Sequence, residues 1–289
     1  NSSAVKFKGI TRSPRSSSKG HKYLASLTSE SFLGLFLLKT VKLQLSDNGV
    51  EVTVIDCDQY GMLDPDDFVK SVKQETFLVS IMLANNEVGT IQEIANISRQ
   101  VKERSAVLGG EIYVHTDAVQ AAGKLSLDTK ILNVDLLSLS GHKIYAPKGV
   151  GVLYVKRGTP IEPLIAGGGQ ERQRRSGTEN VPYIVGMGIA IDLAENERAE
   201  FFKRTAKLRD KIEASIIESI PHTKMNGHPH HRLPNISNMS FPGVDAESLL
   251  IGLDFRSIAA SSGSACSTAS VDPSHVLTAM GLNRESAVG

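Results

Sequence analysis

From Val50 onward, short runs of branched apolar residues alternate with helical stretches, and that alternation is what most limits the fold. The runs are "TFLVSIML" (Thr76 to Leu83), "EIYVH" (Glu111 to His115), "DLLSLS" (Asp135 to Ser140) and "GVGVLYV" (Gly149 to Val155). Such runs suit strands buried on both faces. A helical stretch, Ile94 to Val107, lies between the first two. Strands alternating with helices predict an α/β chain with a mostly parallel sheet.

The pattern changes after Pro182. A mixed-charge segment running to Ile220 carries Leu208, Ile212 and Ile216 at helical spacing, which predicts one or two linking helices. A smaller domain follows, with a strand in "NISNMSF", a helix from Asp245 to Leu253 and a serine-rich loop around Cys266. The expected organisation is an atypical or disordered segment at 1–49, a large domain at 50–182, linking helices at 183–221 and a partial small domain at 222–289. Residues 1–29 hold no acidic side chain, and Lys6, Lys8, Arg12, Arg15 and Lys19 stand among serines. Disorder, a fragment end or a transit segment each give such a composition.

Charge and cysteine content narrow the class. With 32 basic and 31 acidic side chains, nothing in the balance asks for nucleic acid or a membrane surface. No apolar run approaches the length of a spanning helix, the nearest being "FLGLFLL" at Phe32 to Leu38. Two cysteines, Cys57 and Cys266, make no disulfide framework, so a reducing compartment is expected: the cytoplasm, with a mitochondrion or plastid as the alternative.

Chemistry-bearing residues fall at the strand ends, where open α/β sheets gather their ligands. Lys143 in "SGHK" follows one strand, and Asp117 in "VHTDAVQ" follows another. Alone, Lys143 reads as a solvated lysine and Asp117 as a helix cap. Together they fit pyridoxal phosphate, which needs an amine for its aldehyde and a carboxylate for its pyridinium nitrogen. Cys266 sits in "SSGSACSTAS", with no bulky apolar neighbour to bury it, as a mobile, accessible thiol would. Arg172, Arg174 and Arg175 cluster without a wider basic face, so ion pairs or contacts to an anionic ligand are expected in place of nucleic acid. His222, His228, His230 and His231 lack ligand spacing and read as a solvated loop, so no metal is expected. "GGGQ" at Gly167 to Gln170 lacks the lysine and hydroxyl of a P-loop and reads as a tight backbone passage near the active site.

The blocks "VSIMLANNEVGTIQ", "HTDAVQAAGK", "SGHKIYAPKGVGVLYV", "GGGQERQRRSGTENVP" and "SSGSACSTAS" occur in that order, and the chain from about Val50 onward resembles the cysteine desulfurases of the class V aminotransferase superfamily. The resemblance implies a fold-type I pyridoxal phosphate transferase with a mostly parallel large domain and a smaller α+β domain. It implies that Lys143 bonds the cofactor aldehyde, Asp117 pairs with the pyridine nitrogen and Gln120 bonds the phenolic oxygen. Asn86 would hold cofactor and substrate, Ser140 and His142 the phosphate, and Thr178 the phosphate of a partner subunit, which implies a homodimer. Cys266 matches the nucleophile that takes sulfur from L-cysteine as a persulfide, leaving L-alanine, and passes it to an acceptor such as an iron–sulfur scaffold.

Departures from the family pattern qualify this expectation. No Thr-containing phosphate loop of the "SGATESN" kind is found, and where the family has the ring-stacking histidine of "SEH" this chain has Ser31 after Glu30. The family's substrate-binding arginine lies beyond the stretch "MGLNRESAVG". The chain therefore reads as truncated at both ends, with a catalytically impaired binding or dimerisation partner as one alternative and a selenocysteine lyase as another.

Overall fold

The computed structural model describes residues 50–163, 165–262, 273–283 and 287, and the backbone of Tyr23–Thr28. Its centre is a six-stranded sheet in the order β2-β1-β3-β4-β5-β6. The strands are β1 (Tyr23–Thr28), β2 (Val50–Ile55), β3 (Thr76–Met82), β4 (Tyr113–Asp117), β5 (Leu136–Ser140) and β6 (Gly151–Val155). The first five pair in parallel and β6 is antiparallel to β5, so the mostly parallel α/β sheet expected from the alternation is present. β1 falls inside the segment set apart as atypical, and its backbone forms the strand between β2 and β3.

The middle strands owe their burial to helices that carry matching apolar faces. Helix α1 (Pro65–Ser71) starts at Asp64, whose carboxylate accepts the Asp66 amide at 2.9 Å, and it buries Phe68 completely. Helix α2 (Ile94–Val107) has the bounds the periodicity predicts, and it buries Ile94, Ile97 and Val101, the i, i+3, i+7 stripe. These side chains pack with Val79, Ile81 and Val114 of β3 and β4 in the main core. A short helix α3 (Thr129–Leu132), capped by Asp128, leads into β5.

Strand β6 departs from the expectation of burial on both faces. Its residues Gly151, Val152 and Leu153 are exposed, and it closes the sheet as an antiparallel edge strand. The linking segment is one helix, α4 (Val181–Ser219), of 39 residues. Its burial also differs from the spacing argument: Leu208 and Ile212 are more than half exposed, while Met187, Ala190 and Glu213 are the buried positions. The helix runs between the two parts of the chain and is covered only where it crosses each of them.

The smaller part holds an antiparallel pair, β7 (Lys224–Asn226) and β8 (Asn238–Ser240), then α5 (Ala246–Asp254) and α6 (His275–Ala279). Val276, Leu277 and Met280 of the α6 region pack on Val88, which fastens this part to the loop after β3. A buried ion pair fastens the far end of α4, where Arg232 donates to both carboxylate oxygens of Glu213, at 2.6 and 2.5 Å. Among the described residues no helix is long and apolar enough to cross a membrane.

Candidate active site

Register brings the expected residues to one end of the sheet. Met82 of β3 pairs with Asp117 of β4, which pairs with Ser138 of β5. The Leu83 amide donates to the Asp117 carbonyl at 2.8 Å, and the Ala118 amide to the Ser138 carbonyl at 3.0 Å. The chain thus leaves β3 and β4 at one level, and leaves β5 two residues further on, after Ser140. Asn86, Gln120 and the run Ser140, His142, Lys143 each follow within a few residues of that level.

Asp117 is the last residue of β4 and only 5% exposed. Its Oδ1 accepts the Val119 amide at 3.0 Å, but residues 119–124 form turns and no helix follows directly, so Asp117 caps a turn and not the helix the sequence suggested. Burial pushes its carboxyl above the usual range, and the Val119 hydrogen bond opposes that rise. The two asparagines of "NNE" behave differently. Asn85 builds the turn, its Oδ1 accepting the Glu87 and Val88 amides at 2.8 and 2.9 Å. Asn86 Oδ1 is buried with no hydrogen-bond partner among the described residues. An orphaned buried acceptor is costly, and it fits a ligand that brings a donor.

Lys143 is half-buried in a single 3-10 turn, Gly141–Ile144, directly after β5. The turn needs glycine at its start: a Cβ on Gly141 would lie 2.9 Å from Val150 Cγ1 and 3.0 Å from Met187 Sδ of α4. Ser140 Oγ and His142 Nδ1 stand 2.7 Å apart, a hydroxyl and an imidazole within hydrogen-bond distance of each other. Partial burial holds the His142 ring below its ordinary range, with the Lys143 and Lys148 charges acting in the same sense. Gln120 is half-buried. Thr178 is exposed just ahead of α4, and no hydrogen bond ties it to the other site residues of the same chain among the described residues. Cys266 lies outside the described residues.

Two charged residues of this region carry no role in the sequence reading. Lys124 is only 8% exposed, and its Nζ donates to the Ala122 carbonyl at 3.1 Å. Burial, and then the charge of Lys143, push its amine below the usual range. The available signal was a lysine at the end of the small-residue run Ala121, Ala122, Gly123, where tight packing leaves little room for water. Glu87 is also buried; it accepts the Ser274 hydroxyl at 2.5 Å, and burial pushes its carboxyl up while that bond opposes the rise.

The remaining motifs resolve into local structure. Near "GGGQ", the left-handed conformations fall on Glu171, Arg172 and Gln173, at φ 49°, 56° and 63°, as well as on Gly167. Among the described residues Arg172, Arg174 and Arg175 make no ion pair, and Arg175 donates to the Ser176 carbonyl at 2.8 Å. In the histidine-rich loop, His228 Nδ1 accepts the amides of His230 and His231 at 3.1 and 2.9 Å. Among the described residues no group of three or more His, Cys, Asp or Glu side chains could hold a metal ion.

Comparison with known proteins extends these observations. The chain is 50% identical over 241 residues to the cysteine desulfurase IscS of Methanosarcina thermophila, covering 83% of this chain and 58% of that protein. It thus spans less than two thirds of the length of the curated relatives it matches. A solved NifS-like protein superposes with a TM-score of 0.82 at 37% identity, over 94% of this chain and 68% of that one. SspA, solved in complex with cysteine, gives a TM-score of 0.74 at 33% identity, over 92% of this chain and 71% of the other. The fold is therefore the fold-type I pyridoxal phosphate transferase architecture. The aminotransferase class-V family model matches residues 39–286, nearly the whole of the described chain, and the protein belongs to the class V aminotransferases.

Proposed function

We propose that this chain is the cofactor-binding part of a cysteine desulfurase, which converts L-cysteine to L-alanine and transfers the sulfur to Cys266 as a persulfide. One observation carries the reading. The ends of β3 and β4 lie in register, β5 runs two residues further, and the chain at and just beyond these ends carries a buried carboxyl at Asp117, an orphaned acceptor at Asn86 and an amine at Lys143. That donor set suits pyridoxal phosphate, since it offers a carboxyl for a ring nitrogen, an amine for an aldehyde and the Ser140–His142 pair for a phosphate.

Pyridoxal phosphate, when bound, supplies the electron sink that makes the substrate Cα proton acidic. The protein's own groups do the rest. Asp117 holds a proton at the ring nitrogen, Gln120 donates to the phenolic oxygen, and Asn86 orients cofactor and substrate. The Lys143 amine takes the Cα proton as general base. The Cys266 thiolate attacks the substrate sulfur; an S–S bond forms as the Cβ–S bond breaks, and Cβ is protonated to give alanine.

The same reading proposes a homodimer in which Thr178 reaches the partner's phosphate site. It is supported by the exposed apolar start of α4, where Val181, Val185 and Ile189 are each more than half exposed. The sulfur acceptor we propose is a protein such as an iron–sulfur scaffold, and the compartment the cytoplasm, by analogy with the archaeal and bacterial relatives.

The test is a visible absorption spectrum after addition of pyridoxal phosphate and desalting, followed by assays of alanine and sulfide from cysteine. A retained band that is lost in Lys143→Ala, with alanine formed from cysteine and sulfide release lost in Cys266→Ser, is the expected result. No retained band, or full sulfide release by Cys266→Ser, refutes it.

A further inference from the structure

One residue pair below Asp117, the sheet interior contains a polar layer of three side chains. His115 is 8% exposed, with Nδ1 2.7 Å from Ser80 Oγ and Nε2 2.8 Å from Ser138 Oγ. Ser80 is the β3 register partner of His115, while Ser138, on β5, is the register partner of Asp117. On the same face of the sheet, the neighbouring Leu78, Met82 and Leu136 are buried and apolar. Ser80 and Ser138 are half-buried, and burying the imidazole between them costs more than burying an apolar ring would. Burial also holds the ring down to about 4, so it is neutral near neutral pH. A neutral ring has one donor and one acceptor, and one serine donates to it while the other accepts.

The geometry around Asp117 shows what the layer does. Alternation along β4 puts His115 and Asp117 on one face of the sheet. Register partners in a parallel pair point the same way, with strands about 4.8 Å apart, so the Ser138 side chain stands beside that of Asp117. A hydroxyl beside a carboxylate forms a charge-assisted bond, stronger than a neutral one. Ser138 makes no such bond; its Oγ lies 2.8 Å from His115 Nε2, and in the tautomer in which Nδ1–H donates to Ser80 and Nε2 accepts, the Ser138 proton is directed diagonally onto the ring and away from Asp117. The hydrogen bond that Asp117 does make is with the Val119 amide, through Oδ1.

We propose that His115 is a positioning residue for Asp117: by engaging the Ser138 hydroxyl it keeps the second carboxyl oxygen of Asp117 open for the ring nitrogen of the cofactor. This rests on the assignment of Asp117 under Proposed function. Without the ring, the Ser138 hydroxyl turns onto Asp117 and occupies the acceptor that the ring nitrogen needs.

The experiment is an equilibrium titration of the full chain with pyridoxal phosphate, with the visible band followed against pH. It compares wild type with H115F, S138A, H115F/S138A and D117N. H115F is expected to bind about tenfold more weakly, with a displaced pH profile of the band. S138A alone stays within about twofold of wild type, and H115F/S138A returns to that range because the competing hydroxyl is gone. A purely structural histidine gives a double variant at least as weak as H115F, and that result overturns the proposal, as does an H115F protein that binds like wild type. D117N separates the two ideas: a large loss of affinity upholds the role of Asp117 whatever His115 does, and no loss removes that role. If H115F does not fold, H115N, too short to reach Ser138, takes its place in the same comparison.

Discussion

Lowering the pH should destabilise this fold through His115 by an amount that follows from its surroundings. The ring is buried between β3 and β5 and held at about 4 in place of its ordinary 6.5. Between those values the unfolded chain binds a proton that the folded chain refuses. Stability is therefore complete above about 6.5 and falls as pH drops toward 4. The full cost is about 3 kcal/mol, and about 2 kcal/mol of it is spent between about pH 7.5 and about pH 5. The buried carboxyls of Asp117 and Glu87 act in the opposite sense, because their raised values make the folded state the better proton binder. The assay is equilibrium urea unfolding of the apoprotein at both pH values, for wild type and for H115F/S138A, in which no Ser138 hydroxyl competes for Asp117. Wild type should lose about 2 kcal/mol more than the variant on acidification. Equal losses would show that the imidazole is not held neutral by burial and would refute the reasoning.

Other substitutions test separate parts of the structure. Gly123→Ala places a Cβ 2.9 Å from the Ala194 Cβ of α4 at a φ of +69°, and should cost roughly 2 kcal/mol in thermal or urea unfolding. Arg232→Ala strands the buried Glu213 carboxylate and should cost about 3 kcal/mol, whereas the Arg232→Met, Glu213→Leu double variant should recover most of that stability. Lys124→Met removes an amine whose charged form burial and Lys143 disfavour, so the apoprotein should become more stable as pH falls below the ordinary lysine range. A less stable Lys124→Met protein at neutral pH would count against that account.

Local features were legible where a short window carries the whole cause. Helix α2 has its predicted bounds because Ile94, Ile97 and Val101 define the apolar part of its buried stripe, completed by Ser98 and Ser105. The runs "EIYVH" and "DLLSLS" were visible because a strand buried on both faces needs no partner to declare itself, although β4 runs on to Asp117, two residues past the first of them. β6 was misjudged for burial because its run resembles the others, and only its place at the sheet edge exposes it. The apolar spacing of Leu208 and Ile212 foretold a helix but not what covers it. Glu87 and the Ser80–His115–Ser138 layer were invisible for a related reason. Each depends on residues far apart in the chain, and a glutamate or histidine reads the same whether water or a strand surrounds it. β1 escaped notice because its serine-rich surroundings outweigh six extended residues.

Helix α4 has a mechanical consequence. At 39 residues it is a rod about 58 Å long. Near one end Met187 rests against Gly141, at the turn that carries Lys143, and near the other Glu213 grips Arg232 of the smaller part. A rod pinned at two distant points works as a lever: each degree of tilt at the Met187 end sweeps the Ser219 end through roughly 1 Å. A one-degree change of direction at the lysine turn would move the Glu213 attachment, about 39 Å along the rod, by about 0.7 Å.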